Sequence, residues 1–247
     1  MISFTAEQRF IVTGASSGIG EGTALLLNEL GATVIAVGRN LGRLNCLKEK
    51  CREPAKMCLE QKDLIDDVAG LPAYIKELRC RYGKFSGLAY CAGVTELSPL
   101  QLWDFEKELL LFKVNYFAPI AMLKGVCDRR NNVGKGTSCV VVASASSRLA
   151  DKGHCAYAGS KSAVTCSCRV IAKETAALGV RINTVSPSII ATPMTNGDGG
   201  DYLAAQSGKY PMGVGAVSDV ANQIVFLLSE KASWLSGQDY VVDGASF

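Results

Sequence analysis

The chain has 247 residues, of which 48% are hydrophobic and 20% charged, an ordinary globular composition. Chains of this length with alternating strands and helices are often one domain, so we treat 1–247 as a single domain. The net charge is +3, both signs are mixed along the chain, and no basic run with interleaved aromatic residues occurs, so we expect no nucleic-acid partner.

Targeting and metal-binding signals are missing from the sequence. No long apolar run precedes the first predicted strand, and no stretch of about 18 consecutive apolar residues occurs. We therefore expect a cytoplasmic protein with no membrane partner. The ten cysteines include no CxxC pair, and one histidine, His154, cannot complete a Cys/His zinc set. We expect reduced thiols and no metal site.

Short β-branched runs alternate with helical patterns along the chain. Continuous apolar runs are typical of strands that are buried on both faces. This alternation predicts an α/β fold with one doubly wound parallel sheet of about seven strands, flanked by helices on both faces. Pro72 interrupts one helical pattern, which breaks there or restarts at Leu71. The predicted strands are 9–12, 33–37, 56–59, 87–90, 139–144, 181–186 and 239–243, and the predicted helices are 19–30, 41–52, 64–82, 100–130, 155–178 and 218–229.

The first predicted strand–helix junction reads VTGASSGIG, from Val12 to Gly20. Its glycines allow a tight turn and a close approach of the backbone to a pyrophosphate, and the helix N-terminus behind them offers free N–H groups. The spacing is not the common G-x-G-x-x-G, and glycines alone could simply form a turn. Their place at the first βα junction of a parallel sheet favours dinucleotide binding.

Tyr157 and Lys161 lie four residues apart in a predicted helix, so both side chains can reach one site. An exposed helix surface could carry the same pair by chance. A nearby ammonium group lowers the pKa of a phenol. Lys161 therefore predicts a Tyr157 that exchanges a proton near neutral pH, where general acid–base catalysis is most effective.

TGASSGIG at 13–20, Asn115, Ser144 and the Tyr157-x-x-x-Lys161 motif together resemble the short-chain dehydrogenase/reductase family. The resemblance covers the whole chain, down to SGQDYVVDGAS near its end, and is similar in style to the 3-oxoacyl-acyl-carrier-protein reductase type. It implies a Rossmann-like fold and hydride transfer between a nicotinamide and a carbonyl carbon. Ser146 and Ser147 compete with Ser144, and the thirteen-residue spacing to Tyr157 selects Ser144.

The same resemblance implies roles for four catalytic residues. Tyr157 protonates the developing alkoxide, and Ser144 stabilises the charge on the carbonyl oxygen. Lys161 holds the nicotinamide ribose, and Asn115 orders a water that relays protons to Lys161. An amide satisfied by backbone groups is the alternative for Asn115, and His154 either lines the site or is solvated.

A cofactor-binding set follows from the resemblance as well. Two motifs depart from the family pattern: N-N-A-G is Tyr90-Cys91-Ala92-Gly93, and P-G is Pro187-Ser188. The Asp63 carboxylate, implied to contact adenine, could instead be a helix N-cap. The set comprises Gly14, Ser16, Ser17, Gly18, Ile19, Gly20, Arg39, Asp63, Leu64, Ala92, Gly93, Asn115, Tyr157, Lys161, Pro187, Ile190 and Thr192.

The end of the second predicted strand indicates which nicotinamide cofactor binds. NAD-binding sheets carry an acid there for the ribose 2′-hydroxyl, whereas an arginine suits a 2′-phosphate. Here Gly38 stands at the position of the acid, Arg39 follows, and no acid occurs before Glu49. NADP(H) is favoured over NAD(H), although Arg39 could be an exposed loop residue and the family's second basic position is Ser17.

The remaining predictions concern the substrate and the assembly. The glycine-rich segment 193–215 predicts a substrate lid, with Met194, Tyr202, Tyr210 and Met212 as lining or packing residues. Small residues along 155–178 let helices approach closely, and the resemblance implies that 100–130 and 155–178 pair across a two-fold axis in a homotetramer. We expect reduction of a small-molecule carbonyl substrate. The alternatives are an alcohol or sugar dehydrogenase in the oxidative direction and a non-catalytic dinucleotide-binding regulator.

Overall fold

A single parallel sheet of seven strands forms the centre of the computed structural model, which describes residues 1–149, 151–195, 208 and 210–246. The strand order is β3-β2-β1-β4-β5-β6-β7, so the predicted doubly wound α/β fold is confirmed. The strands are β1 Arg9–Thr13, β2 Thr33–Gly38, β3 Met57–Gln61, β4 Gly87–Tyr90, β5 Ser138–Val142, β6 Arg181–Pro187 and β7 Asp239–Val242.

Helices follow most strands and largely match the predicted segments. The predicted helix 64–82 begins only at Leu71, where Pro72 occupies the first turn and needs no N–H partner. The predicted helix 41–52 ends at Glu49. The α-helices are α1 Gly18–Glu29, α2 Leu41–Glu49, α3 Leu71–Tyr82, α4 Phe105–Phe112, α5 Ala118–Val126, α6 Ser146–Leu149, α7 Cys155–Thr175 and α8 Val217–Leu228.

The prediction of one continuous helix over 100–130 is wrong. A 3₁₀ turn at Leu100–Leu102 precedes α4, and a π-helical turn at Lys113–Phe117 separates α4 from α5. Pro119 lies in the first turn of α5 and cannot donate a backbone hydrogen bond to the preceding turn. A π turn of this kind often marks a functional site.

Each face of the sheet buries its own apolar layer. Along β1, Phe10 and Val12 face one layer and Ile11 faces the other, and all three side chains are buried. Helices α1 and α8 contact each other on the first layer, while α3 and α5 pack together on the second. Because both faces are covered, β2, β4 and β5 are mainly apolar runs, and β6 is buried along its whole length although it carries polar residues. Fully burying one such aliphatic side chain contributes about 1.5–3 kcal/mol.

The strand order reverses between β1 and β4, which is where open α/β sheets bind ligands. Thr13 at the end of β1 pairs in register with Tyr90 at the end of β4, and Val142 of β5 pairs with Val185 of β6. The segments that follow these strands therefore meet at one edge of the sheet.

The helical run from Phe105 to Val126 is the one described helix that is long and apolar enough to cross a membrane, with a mean hydropathy of 1.4. Core helices of globular proteins pass the same test. Here the run contains the buried amide of Asn115, and its second half packs against α3.

Candidate active site

The loop between β1 and α1 approaches neighbouring backbone so closely that only glycine fits. Gly14 has a φ of 64°, and a Cβ on it would stand 2.8 Å from the backbone nitrogen of Ala92. Ser17 caps α1, but within the described residues its side chain makes no capping hydrogen bond, so the first N–H groups of α1 remain available. Glu21 in that first turn pairs with Lys50 at 2.6 Å, which offsets its negative charge. This loop suits an anion such as a pyrophosphate.

One cleft follows the carboxyl edge of the sheet from β2 to the segment after β6. It brings together many of the predicted cofactor-binding residues, and sequence reasoning missed Val37, Lys62, Ile65, Cys91 and Val94 on its wall. The predicted residues on the wall are Gly14, Ser16, Ser17, Gly18, Ile19, Gly20, Arg39, Asp63, Leu64, Ala92, Gly93 and Thr192.

Pro187 and Ile190 are not among the residues that line this cleft, and both are buried in the structure. The Pro187 carbonyl accepts a hydrogen bond from Ala145 N at 2.9 Å, and the Ile190 carbonyl accepts one from Thr195 Oγ1 at 2.6 Å. These contacts make Pro187 and Ile190 supports for the segments that carry Ser144 and Thr192.

At the β2 end of the cleft, Arg39 and Asp63 form a loose ion pair. Arg39 Nη1 lies 3.8 Å from the Asp63 carboxylate, with the Arg39 side chain 70% exposed and that of Asp63 31% exposed. Asp63 accepts a hydrogen bond from Ile65 N at 3.2 Å, and no helix begins there, so the N-cap alternative for Asp63 is wrong. A Cβ on Gly38 would lie 3.4 Å from Ser16 Oγ. The guanidinium of Arg39 is therefore an exposed cation at this end of the cleft wall, next to the half-buried Lys62.

At the other end, Ser144, Tyr157 and Lys161 meet behind Gly93. The Lys161 ammonium is buried, donates a hydrogen bond to the Val142 carbonyl at 3.0 Å and lies 5.9 Å from the centre of the Tyr157 ring. Burial raises the pKa of Tyr157, and hydrogen bonding to the Ser144 hydroxyl opposes that rise. Burial also lowers the pKa of Lys161 to about 8.

These pKa shifts differ from the prediction that Lys161 lowers the pKa of Tyr157. A buried phenol and a buried ammonium each favour the neutral form, because both lose hydration. For Tyr157 and Lys161, loss of hydration shifts the pKa more than the neighbouring charges and hydrogen bonds do. The phenol of Tyr157 therefore stays protonated near neutral pH, which is the form that a general acid requires.

Asn115 lies in the π turn between α4 and α5 and is 1% exposed. Its Nδ2 donates to the Val94 carbonyl at 2.9 Å and to Ser160 Oγ at 3.3 Å, while its Oδ1 accepts from Val94 N at 3.1 Å. A Cβ on Gly93 would lie 3.4 Å from both Asn115 Oδ1 and Lys161 Nζ. All of these hydrogen bonds are made within the protein, which agrees with the alternative that the Asn115 amide is satisfied by backbone groups. The amide nevertheless also lies beside Lys161. The relay role stays a prediction.

Comparisons with known proteins identify the family. Residues 14–245 match a family model described as enoyl-(acyl carrier protein) reductase. D-erythrulose reductase of Gallus gallus is 32% identical, over 96% of this chain and 94% of its own length. The 3-oxoacyl-[acyl-carrier-protein] reductase FabG of Vibrio harveyi is 30% identical, over 96% of each chain. This chain belongs to the short-chain dehydrogenase/reductase family.

The solved structure of a short-chain type dehydrogenase/reductase from Mycobacterium ulcerans superposes with a TM-score of 0.88 and 29% identity, over 99% of this chain and 91% of that one. The predicted family resemblance and the prediction of an enzyme are therefore confirmed. As a member of the family, the chain is an oxidoreductase of the class that uses a nicotinamide dinucleotide and acts on carbonyl or alcohol groups.

This short-chain dehydrogenase/reductase replaces the family asparagines after β4 without losing the link between sheet and loop. Thr13 Oγ1 accepts hydrogen bonds from Cys91 N at 3.1 Å and Ala92 N at 3.2 Å. The hydroxyl of Tyr90 reaches the Val114 carbonyl at 2.8 Å. Thr13 precedes the glycine loop in sequence, so a hydroxyl at the end of β1 was a usable signal.

A carboxylate on β7 supports the serine segment of this family member and was missed by sequence reasoning. The Asp239 side chain is buried and accepts hydrogen bonds at 2.7 Å from each of Thr184, Ser186 and Arg148. Arg148 belongs to α6, just after Ser144, so Asp239 ties that segment to β6. An acid at the start of the predicted strand DYVVD was the available signal.

The neighbours of Ser144 and Tyr157 have distinct contacts. Ser147 Oγ donates to the Ser144 carbonyl at 2.8 Å, and Ser144 Oγ accepts from Ser146 N at 3.2 Å, so Ser147 supports the turn. The His154 ring lies 5.8 Å from that of Tyr157, and its buried Nδ1 has no hydrogen-bond partner among the described residues. His154 therefore lies against the site rather than in free solvent.

The predicted lid at 193–215 falls largely outside the described residues, as does Tyr202. Met194 lines the cleft and is exposed, and Met212 is also exposed. Across the described residues, no group of three or more His, Cys, Asp or Glu side chains could hold a metal ion. All ten cysteines lie in this part of the chain and are free.

Proposed function

We propose that this protein reduces a ketone to a secondary alcohol with NADPH, using Tyr157 as the general acid. The observation that carries the proposal is that one cleft has a catalytic cluster at one end and a cation at the other. Ser144, Tyr157 and Lys161 form a largely buried cluster near Gly93 at one end of the cleft, and at the other end Gly38 stands at the position of the usual acid with Arg39 next to it.

The residues present fit NADP(H). Gly14 and the free N–H groups of α1 suit the pyrophosphate, and Arg39 suits a 2′-phosphate. A Cβ at Gly93 would already contact Lys161 Nζ at 3.4 Å, so glycine leaves the most room between the cleft and the lysine. The bound nicotinamide supplies the hydride.

The chain's own groups manage the proton and the charge. The protonated phenol of Tyr157 donates its proton to the ketone oxygen as negative charge develops there. The Ser144 hydroxyl donates a hydrogen bond to the same oxygen and stabilises that charge. Lys161, with its pKa lowered to about 8, keeps its proton near neutral pH and can return one to Tyr157, with Asn115 beside it. A positioned acid of this kind accelerates turnover by roughly 10²–10⁴-fold.

The raised pKa of Tyr157 favours reduction over oxidation near neutral pH. Oxidation of an alcohol needs a deprotonated tyrosine as the base, which the buried surroundings disfavour. An alcohol or sugar dehydrogenase running in that direction is the alternative, and a non-catalytic regulator is the alternative of another class. Similar chains include reductases named for D-erythrulose, L-xylulose and 3-oxoacyl-acyl carrier protein, so keto-sugars and 3-oxoacyl thioesters are the substrates to try first.

A homotetramer in the cytoplasm completes the proposal. Large apolar side chains are exposed on the two helical stretches predicted to pair, namely Leu110, Phe117 and Val170. Burying such side chains between copies is a common basis for closed two-fold assemblies. Light scattering should give four times the chain mass of 26.2 kDa. A mass equal to one chain at micromolar concentration would contradict the assembly.

The test of the activity is a ketone panel followed by NADPH absorbance, with wild type beside Tyr157→Phe. The panel contains keto-sugars, 3-oxoacyl thioesters and quinones. We expect turnover with at least one ketone and a loss of at least about 100-fold in Tyr157→Phe, with unchanged NADPH affinity. Near-normal turnover in Tyr157→Phe would exclude the mechanism. Tight NADPH binding without turnover on any alcohol or ketone would favour the regulator.

A further inference from the structure

The last residue of β4, Tyr90, carries a buried hydroxyl that reaches a neighbouring helix. The residue is 1% exposed, and its hydroxyl donates a hydrogen bond to the backbone carbonyl of Val114 at 2.8 Å. Burial raises the pKa of Tyr90 far above its ordinary value, so the hydroxyl remains a donor throughout the working pH range. The family pattern has an asparagine at this position, and an asparagine side chain is shorter than a phenol.

The Val114 carbonyl needs a donor from outside its helix. It lies in the π turn Lys113–Phe117, where the N–H of Ala118 donates to the Lys113 carbonyl, five residues back, instead of to Val114. The next residue that could donate to Val114 in this register is Pro119, which has no N–H. Val114 is half-buried, so its carbonyl is partly shielded from water, and the Tyr90 hydroxyl supplies the donor that the helix lacks.

The residue that follows Val114 is Asn115. Its amide connects the π turn to the segment after β4 through two hydrogen bonds with the Val94 backbone. Asn115 Oδ1 and Lys161 Nζ both lie next to Gly93, each 3.4 Å from the position that a Cβ on Gly93 would take. A shift of the π turn would therefore move the amide relative to both the cleft wall and the lysine.

We infer that Tyr90 is a positioning residue for the proposed reaction, and that it acts by holding the π turn in the register that places Asn115 beside Lys161. The inference depends on the proposed function, because it assigns Tyr90 its effect through the proton relay of Asn115 and Lys161. Tyr90 touches neither the substrate nor the cofactor in this account.

The first test compares two variants that each remove one tyrosine hydroxyl. Tyr90→Phe deletes the donor to Val114, whereas the control Tyr82→Phe deletes a hydroxyl that donates to Glu60 at 2.5 Å, near the β3 edge of the sheet. Hydrogen exchange of the free protein should show faster exchange of backbone amides over 113–120 in Tyr90→Phe and no change there in Tyr82→Phe. Turnover should fall about tenfold in Tyr90→Phe, which corresponds to about 1.4 kcal/mol of activation free energy. The NADPH affinity and the KM for the ketone should stay unchanged. Tyr82→Phe should keep normal turnover.

A double-mutant cycle then asks whether Tyr90 acts through Asn115. Asn115→Ala should lower kcat by itself, and adding Tyr90→Phe should lower it little further. An equal effect of Tyr90→Phe in both backgrounds, or unchanged exchange and kcat in the single variant, would overturn the inference and leave the proposed function standing. Full turnover in Asn115→Ala would instead remove Asn115 from the proposed mechanism and, with it, the catalytic effect assigned to Tyr90.

Discussion

The two ends of the cleft differ in how much water reaches their functional groups. At the β5 end, Ser144, Lys161 and Asn115 are buried and are held by hydrogen bonds to the backbone or to neighbouring side chains. At the β2 end, the Arg39 side chain is mostly exposed, and its one ion pair, with Asp63, is long. Chemistry is thus assigned to a buried end and cofactor selection to an exposed one.

The difference in exposure to water determines which physical effect dominates at each end of the cleft. Charges in a buried environment interact strongly and shift their pKa values, so small displacements there alter protonation. An exposed charge is screened by water and salt, so it contributes less and its contribution depends on ionic strength. Substitutions at the buried end should therefore change turnover strongly, whereas those at the exposed end should change affinity modestly.

The largest effect is expected for Lys161→Met. Turnover should fall by at least about 100-fold, because the group that returns protons to Tyr157 is lost. Stability at neutral pH should rise by up to about 3 kcal/mol, at about 1.4 kcal/mol per pKa unit, since burial lowers the pKa of the ammonium from 10.5 to about 8 in the folded chain. Denaturant unfolding and NADPH turnover measure the two quantities. A variant that loses activity because it unfolds more readily would contradict the idea that Lys161 is kept at a cost to stability.

The pH dependence of wild-type reduction also tests the role of the buried Lys161 ammonium. The unfolded chain holds the Lys161 proton up to its ordinary pKa of 10.5, while the folded chain releases it from about pH 8. Between about pH 8 and pH 10.5, the contribution of Lys161 to the free energy of unfolding therefore increases as the pH rises. Over the same range kcat for reduction should fall, by about tenfold for each pH unit above the folded pKa. A reduction rate that stays level or rises up to pH 10 would contradict the assignment of Lys161 as the group that returns protons to Tyr157.

A smaller effect is expected for Arg39→Ala at the exposed end. Charge-assisted hydrogen bonds contribute roughly 1.5–3 kcal/mol, and exposure places Arg39 near the lower limit, so NADPH should bind about tenfold more weakly. NADH affinity should stay nearly unchanged, and added salt should reduce the difference between wild type and variant. Fluorescence titration with both cofactors at low and high salt makes the comparison. Equal weakening of both cofactors would show that Arg39 does not contact a 2′-phosphate.

Gly38→Asp, at the same exposed end of the cleft, should move the cofactor preference toward NADH and should do so more strongly than Arg39→Ala. A carboxylate there can accept a hydrogen bond from a ribose 2′-hydroxyl and repels a 2′-phosphate. The added Cβ would lie 3.2 Å from Leu44 Cδ2, the end of a flexible side chain that can move by a few tenths of an ångström. The ratio of kcat/KM for the two cofactors measures the shift. An unchanged ratio in a well-folded variant would place the ribose elsewhere.

Much of the fold could be predicted because buried parallel strands leave a simple pattern. The continuous runs at 33–37, 87–90 and 181–186 match β2, β4 and β6 to within one residue at each end. The π turn that interrupts the helical segment 100–130 could not be predicted, because such a turn depends on hydrogen-bond partners that are distant in sequence. Its Val114 carbonyl is satisfied by Tyr90, on a strand 24 residues earlier.

The candidate site shows a similar division. The family resemblance indicated Ser144, Tyr157 and Lys161, and the four-residue spacing of Tyr157 and Lys161 supported it by placing both on one helix face. The direction of the Tyr157 pKa shift was missed, because burial depends on how the whole site packs. Asp239 was missed because its partners, Thr184, Ser186 and Arg148, come from separate parts of the chain.

The most direct test of the central claim measures kcat and KM for NADPH and NADH with one active ketone in wild type, Tyr157→Phe and Arg39→Ala. We predict that wild type prefers NADPH. Tyr157→Phe should lower kcat by at least about 100-fold with both cofactors and leave the preference intact. Arg39→Ala should raise the KM for NADPH and leave kcat unchanged. A wild type that prefers NADH, or a Tyr157→Phe variant with normal kcat, would contradict the account.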